Sequence, residues 1–292
     1  MLDTLSLVDK QQNLPSLLTE EKIQIVEKGM LEQEQVDCPV THKFGPGIYI
    51  REVLLPAGAT VVGHYHKQPH LNIMIAGRLA LVGENGKSTE LVAPCTFTAP
   101  AGRKIAYIYE TVLWHNVYAT EETDLEKLEE MFFIKSVTFK DHEETQQRLL
   151  SFEKNEDKED YFKAIAEFNL FEHDVRETSE NTLDQIPMPF GSYKFTIGLS
   201  KIEGKGVFAS GNIKEGEVVG PSRINKMRTP LGRYTNHSKT PNAKMVLKKN
   251  GDIDLVAVSN IAGYKGGQLG EEITVDYRQV LRLSLGEELC QA

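Results

Sequence analysis

The chain has 292 residues, enough for two ordinary domains, and its 40% hydrophobic content suffices for packed cores. Its 42 acidic residues outnumber 33 basic ones, and the formal net charge of −9 argues against nucleic-acid binding, which needs an excess of Lys and Arg to neutralise phosphates. No apolar run reaches the about 18 residues of a membrane-spanning helix, the opening MLDTLSLVDKQQ lacks the regions of a signal peptide, and Cys38, Cys95 and Cys290 form no CxxC pair, which together predict a cytoplasmic protein without disulfides or membrane contact.

Residues 1–37 are polar and read as peripheral, except for one amphipathic helix predicted over Thr19–Gly29, with Thr19 as cap and Gly29 as stop. From Phe44 to Ala119, β-rich runs alternate with turn residues: IYIREVLL, ATVVGHYH, LNIMIAGRLALV, STELVAP, CTFTAP, IAYIYE and TVLWHNVYA. The Asn-Gly pair in GENGK is a strong hairpin signal. This spacing predicts an antiparallel barrel or jelly roll. Between Glu121 and Glu180 the pattern turns helical and acidic, in DLEKLEEMFFIKS, ETQQRLLSFEKN and DYFKAIAEFNLF. In the last of these Tyr161, Ile165, Phe168 and Phe171 form the expected buried stripe. The charged stretch Glu153–Asp160 reads as a solvated turn or flexible link, and residues 181–190, NTLDQIPMPF, as a linker. Strand texture returns at Lys194 and runs to Gln279.

The string from Gly58 through His64, His66 and His70 to Gly77, followed by Pro100-Ala101-Gly102, resembles the motifs of the cupin family. His64 and His66, two apart on a strand, point to one face, and His70 can approach the same point after the Lys-Gln-Pro turn. Three imidazoles leave open positions on a divalent transition metal, and the resemblance implies such a site. The sequence departs from the family in two places. His70 stands where the first motif has an acid, and Ile105 stands where the second has a histidine. His115, beside Trp114, alternates to the opposite face. The alternative reading is a barrel kept for packing or oligomerisation, with histidines that only hydrogen-bond.

Three further pieces, SKIEGKGVFASGNIKEGEVVG at 200–220, RTPLGRYTNHSKTPNA at 228–243 and GEEITVDY at 270–277, resemble the SET domain of protein-lysine methyltransferases in order and spacing. RTPLG before the Asn-His-Ser segment is similar to the compact SET proteins of bacteria and their phages. The resemblance implies S-adenosylmethionine held by Gly204, Lys205, Gly206, Asn236 and His237, with Tyr277 both touching the cofactor and acting as the catalytic tyrosine. Missing β-carbons at Gly204 and Gly206 suit close backbone approach to a ligand, and the Lys205 ammonium would complement a carboxylate. A second tyrosine of the family is replaced by Met245, with Tyr234 as a candidate substitute, and the zinc-binding cysteine cluster is missing.

The expected architecture is mainly β with a helical connector: a cupin-like β-barrel with an N-terminal helix (1–120), an acidic helical connector and linker (121–190), and a SET-like β domain (191–292). A fragment starting near residue 185 is expected to fold alone. The implied function is methylation of a lysine on a protein substrate, using S-adenosylmethionine, with the barrel as an accessory. The alternative is a structural or assembly protein of a phage particle, with phage structural proteins as partners and the host cytoplasm or virion as its place. A third reading is a metal-dependent cupin enzyme with a SET appendage. Cupin barrels pair through their strands, which implies a homo-oligomer.

Overall fold

A computed structural model describes residues 20–82, 87–151 and 156–285. The expected cap at Thr19, the Asn85-Gly86 turn and Cys290 lie outside the described residues. The protein is mainly β with helical connectors, as its patterning predicts.

The first helix, α1 (Glu20–Leu31), runs through Gly29 instead of stopping there. It inserts Ile23 and Glu27 into the protein, and Glu27 is matched by the buried Arg103. Eight strands follow: β1 (Val40–Gly45), β2 (Ile48–Leu55), β3 (Thr60–Val62), β4 (Tyr65–His66), β5 (His70–Val82), β6 (Ser88–Val92), β7 (Cys95–Ala99) and β8 (Ile105–Ala119). The expected runs IAYIYE and TVLWHNVYA are one strand, β8. Its first half pairs with β3 and the end of β5, and its second half with β2 and the start of β5. Two long strands that change partners midway divide the sheet into two halves that share β5 and β8. The switch falls where the β5–β8 register shifts, beside Gly77. That residue has φ +92°, and a Cβ there would collide with the backbone of Glu110 and Thr111, so only glycine fits.

The connector holds α2 (Leu125–Phe132), β9 (Phe133–Ile134), α3 (Val137–Ser151), α4 (Glu156–Glu167) and α5 (Glu172–Glu180). Asp124 caps α2 by accepting from the backbone N–H groups of Glu126 and Lys127. The expected apolar stripe on the last long helical run is only partly right. Ile165 is buried and Tyr161 packs against Tyr277, but α4 ends at Glu167 and Phe171 is 74% exposed at the start of α5. The residues read as a linker are pinned. Arg228 binds the Asp184 carboxylate and the carbonyls of Thr178 and Asn181, and Met188 is buried.

The last part starts with β10 (Gly191–Tyr193), which adds to the barrel sheet by pairing with β1. Two small sheets follow. One orders β11 (Phe195–Leu199), β12 (Lys205–Ala209), β18 (Glu272–Val275) and β15 (Asn236–His237). The other orders β14 (Met227–Arg228), β13 (Val218–Ile224), β17 (Ile253–Ala257) and β16 (Ala243–Leu247). The short α6 (Pro230–Tyr234), capped by Thr229 with proline at its first position, precedes β15, and α7 (Tyr277–Leu285) closes the described chain.

One hydrophobic cluster runs through both β-rich parts, joining Phe44, Tyr49 and Tyr118 of the barrel to Leu128 of α2 and to Phe195 and Val207 beyond the connector. A smaller cluster around Met74, Leu79 and Ile108 fills the rest of the barrel. The expected boundaries near 120 and 190 fall at strand ends, but the core runs across them.

Candidate functional site

The residues singled out in the three C-terminal segments meet at one place. The parallel pair β15 and β18 sets Asn236 beside Thr274 and His237 beside Val275. From there the Asn236 Nδ2 donates to the Lys205 carbonyl at 3.1 Å, the Glu203 carbonyl at 3.3 Å and the Glu272 carboxylate at 2.8 Å. This ties the Gly204–Gly206 turn to the Asn-His-Ser segment across about thirty residues of sequence. His237 is 1% exposed. Its Nδ1 accepts the Tyr277 backbone N–H at 3.1 Å, so the proton sits on Nε2, which donates to Asp160 at 3.1 Å. The Tyr277 hydroxyl donates to the Thr235 carbonyl at 3.2 Å, and burial holds its phenol above the usual range and therefore protonated.

Two assignments change in detail. The space a Cβ would take at Gly206 is filled by the Glu272 carboxylate, so that glycine serves internal packing. Gly204 keeps the expected character: φ is +52° and no atom lies within 4 Å of where a Cβ would stand. The Lys205 ammonium is bound by Glu126 of α2 at 2.8 Å and lies over the Tyr234 ring. Met245 is buried, and its backbone is held by the Gln279 side chain.

Sequence reasoning missed Glu272 and Asp160. Burial raises the pKa of Glu272, whose carboxylate also accepts from Ser200 Oγ at 2.7 Å. Asp160 belongs to the stretch read as a solvated turn or flexible link, whose described part is instead the start of α4. There Asp157 accepts from Ser238 Oγ and the Lys239 backbone N–H, Glu156 pairs with Lys239, and Tyr161 sets its ring edge-on to Tyr277 at 5.9 Å. Arg278 grips Asp160 at 2.7 Å and Glu167 at 2.8 Å. Helix α4 thus lies over the cluster. Nothing local in the sequence announces contacts between residues about 80 to 120 positions apart.

In the barrel, His66 and His70 stack face to face, with centroids 4.1 Å apart and planes 10° from parallel. His66 Nδ1 is bonded to the Tyr118 hydroxyl at 2.8 Å and His70 Nδ1 to the Gln68 carbonyl at 3.2 Å, while His64 sets its ring against Phe139. Burial pushes His64 down to about 3 and His66 to about 2, and lowers His70. Among the described residues no three His, Cys, Asp or Glu side chains are grouped to hold a metal, and His64 Nδ1 is buried without a hydrogen-bond partner. His115 faces away from them, as alternation predicts, and bonds Glu52 at 2.6 Å. No helix among the described residues is long and apolar enough to cross a membrane.

No family model matches the chain, and no curated protein does. Solved structures similar to it include three cupins. An RmlC-like cupin family protein with a double-stranded β-helix fold, from Methanocaldococcus jannaschii, is 19% identical, and the match covers 28% of this chain and 81% of that one at a TM-score of 0.25. A cupin domain from Bordetella pertussis Tohama I is 16% identical, with 30% and 98% covered and a TM-score of 0.26. A cupin-2 domain containing protein from Shewanella frigidimarina is 12% identical, with 33% and 92% covered and a TM-score of 0.24. The antiparallel β-sheet of residues 40–119 is described by its own strand order and register.

Proposed function

We propose that the chain is an S-adenosylmethionine-dependent protein-lysine methyltransferase whose SET-like part begins near residue 191. The observation that carries this reading is the meeting of three separate segments: Asn236 bonds the carbonyls of Glu203 and Lys205 on either side of Gly204, and His237 bonds the backbone of Tyr277. The open, left-handed turn at Gly204 fits close approach of a cofactor, whereas Gly206 does not. S-adenosylmethionine would supply a methyl group on a sulfonium, whose sulfur departs as a neutral thioether. The remaining work is positional. Asn236 holds the Gly204 turn in place through the Lys205 carbonyl, and His237 fixes the backbone at Tyr277. The protonated Tyr277 hydroxyl orients the incoming amine. That amine must be neutral, although a free lysine has a pKa of about 10.4, so its proton must pass to water before transfer.

A second reading is favoured by a specific observation: α4 covers the cluster, and the donors of Asn236 and His237 are satisfied within the protein. In that reading the part is a rigid module of an assembly protein. Isothermal titration with S-adenosylmethionine, followed by tritium transfer to protein acceptors, separates the two. The enzyme reading expects micromolar binding. It also expects Tyr277→Phe to keep cofactor affinity within a few-fold while slowing transfer at least about tenfold, roughly 1.4 kcal/mol of barrier. Asn236→Ala should weaken cofactor binding itself. If the wild type binds no cofactor and labels nothing, the structural reading stands. A fully active Tyr277→Phe removes the catalytic role of that residue.

A further inference from the structure

The barrel and its junction with the later strands line a partly open cavity of about 500 Å3, within the range of small-molecule sites. Much of its wall is apolar, with Val53, Leu55, Leu79, Leu81, Phe97 and Ala106 among the lining residues. Alternation along β2 turns Tyr49, Arg51 and Val53 to this space, while Glu52 binds Lys43 and His115 elsewhere. The other lining charges have partners. Glu27 meets Arg103, Glu126 meets Lys205, and Glu129 and Glu143 share Lys135. Lys104 also has a partner. Arg51 differs. Among the described residues it makes no hydrogen bond or ion pair, and its one contact of this kind is with the Phe133 ring, whose centroid lies 5.6 Å from the guanidinium carbon. A guanidinium does not give up its proton, so Arg51 keeps its positive charge beside a largely apolar wall with no directly bonded counter-ion among the described residues.

A second group points the same way. His42 is the cross-strand neighbour of Arg51 in the β1–β2 ladder. It is 7% exposed and lines the cavity; its Nδ1 is bonded to the Tyr49 hydroxyl at 2.8 Å, and its Nε2 has no partner among the described residues. We propose that this cavity binds a small carboxylic acid anion, with the carboxylate on Arg51 beside His42 Nε2 and the apolar body against the barrel wall. The planar guanidinium fork matches a carboxylate in bidentate fashion. One guanidinium without a bonded carboxylate suits a monoanion, and Glu129 and Glu143, which share the single Lys135, disfavour further negative charge. A phosphate monoester, close to two negative charges at neutral pH, would leave one charge uncompensated in apolar surroundings. The site does not depend on the methyl-transfer reading and uses none of the residues assigned to it.

Isothermal titration of the full chain with octanoate and with 1-octanol tests the proposal. Octanoate is expected to bind at least about tenfold tighter than the uncharged alcohol of the same length. Arg51→Met should weaken octanoate alone, bringing the two within about twofold, and Arg51→Lys, which keeps the charge but not the fork, should fall between. Equal affinities in the wild type, or no octanoate binding at about 1 mM, overturn the proposal. An unchanged octanoate affinity in Arg51→Met also overturns it, and octyl phosphate binding tighter than octanoate overturns the carboxylate assignment. If Arg51→Met does not fold, the wild-type comparison and Arg51→Lys decide the matter.

Discussion

At the scale of single residues, buried charge and buried imidazole set the expected sensitivities. Arg103 is 2% exposed and holds the buried Glu27 carboxylate, Glu20 and the Gly63 carbonyl, so it ties α1 to the barrel. Arg103→Ala strands Glu27 and should cost about 3–5 kcal/mol in urea unfolding, because an uncompensated charge remains inside. A loss below about 1 kcal/mol would mean that water reaches the pair. His42 offers a pH test. Burial, aided by Arg51, pushes its pKa down to about 3. The unfolded chain takes up a proton on this residue below about pH 6.5, and the folded chain does not until near pH 3. His42 therefore contributes its full stability above pH 6.5 and loses it as pH falls toward 3. Between pH 7 and pH 5 the wild type should lose about 2 kcal/mol more than His42→Gln, measured by urea unfolding at both pH values. Equal losses would show that His42 is not what titrates.

At the scale of elements, α4 is the part whose position matters most. Its sequence reads as a charged surface segment, yet Asp157, Asp160 and Tyr161 reach Ser238, His237 and Tyr277. Arg278 fastens the helix by pairing with both Asp160 and Glu167, and these pairs hold both carboxyl pKa values below the usual range. Arg278→Ala removes both grips without touching the cluster's own residues. Amide exchange over Glu156–Glu167 should speed up about tenfold, and S-adenosylmethionine affinity should rise in the same variant, since a covering element then opens more easily. Unchanged exchange would show that the other contacts of α4 suffice to hold it. The acidic spacing that marks this helix as amphipathic is legible in the sequence. The partner of its polar face is not, because a solvated face and a face docked on His237 have the same local pattern.

At the scale of the molecule, the parts share structure that compositional boundaries do not reveal. Strand β10 pairs with β1, the backbone of Val40 binds that of Ser210 at 2.8 Å, and Cys38 binds Tyr264 at 3.1 Å. A fragment beginning near residue 185 keeps β10–β18 but loses β1 and the barrel and connector side of the main core, including Phe44, Tyr49, Tyr118 and Leu128. Each such large side chain contributes about 1.5–3 kcal/mol on burial, so the fragment is expected to give no cooperative thermal transition, whereas the full chain should melt as one unit. A sharp transition in the fragment, followed by circular dichroism, would restore the independent second domain that the composition suggests.

The local signals in the sequence were strong where the physics is local. Alternation placed β2 at Ile48–Leu55, and the expected barrel strands and acidic helices formed close to where their runs lie, because strand and helix periods are set within a few residues. The same alternation put Arg51 on the inner face with Tyr49 and Val53, a legible sign of a charge facing the cavity that motif reading passed over. The Asn-His-Ser segment, the Gly204 turn and Tyr277 were singled out by resemblance to the SET domain, and the tertiary structure sets them near one another. What only that structure decided were relations between distant segments: the stacking of His66 on His70, the Glu272 carboxylate filling the space beside Gly206, the Arg51 guanidinium left without a described counter-ion, and Asp160 on His237. Each depends on how separate elements pack, and periodicity within one element carries no information about which surface it will meet.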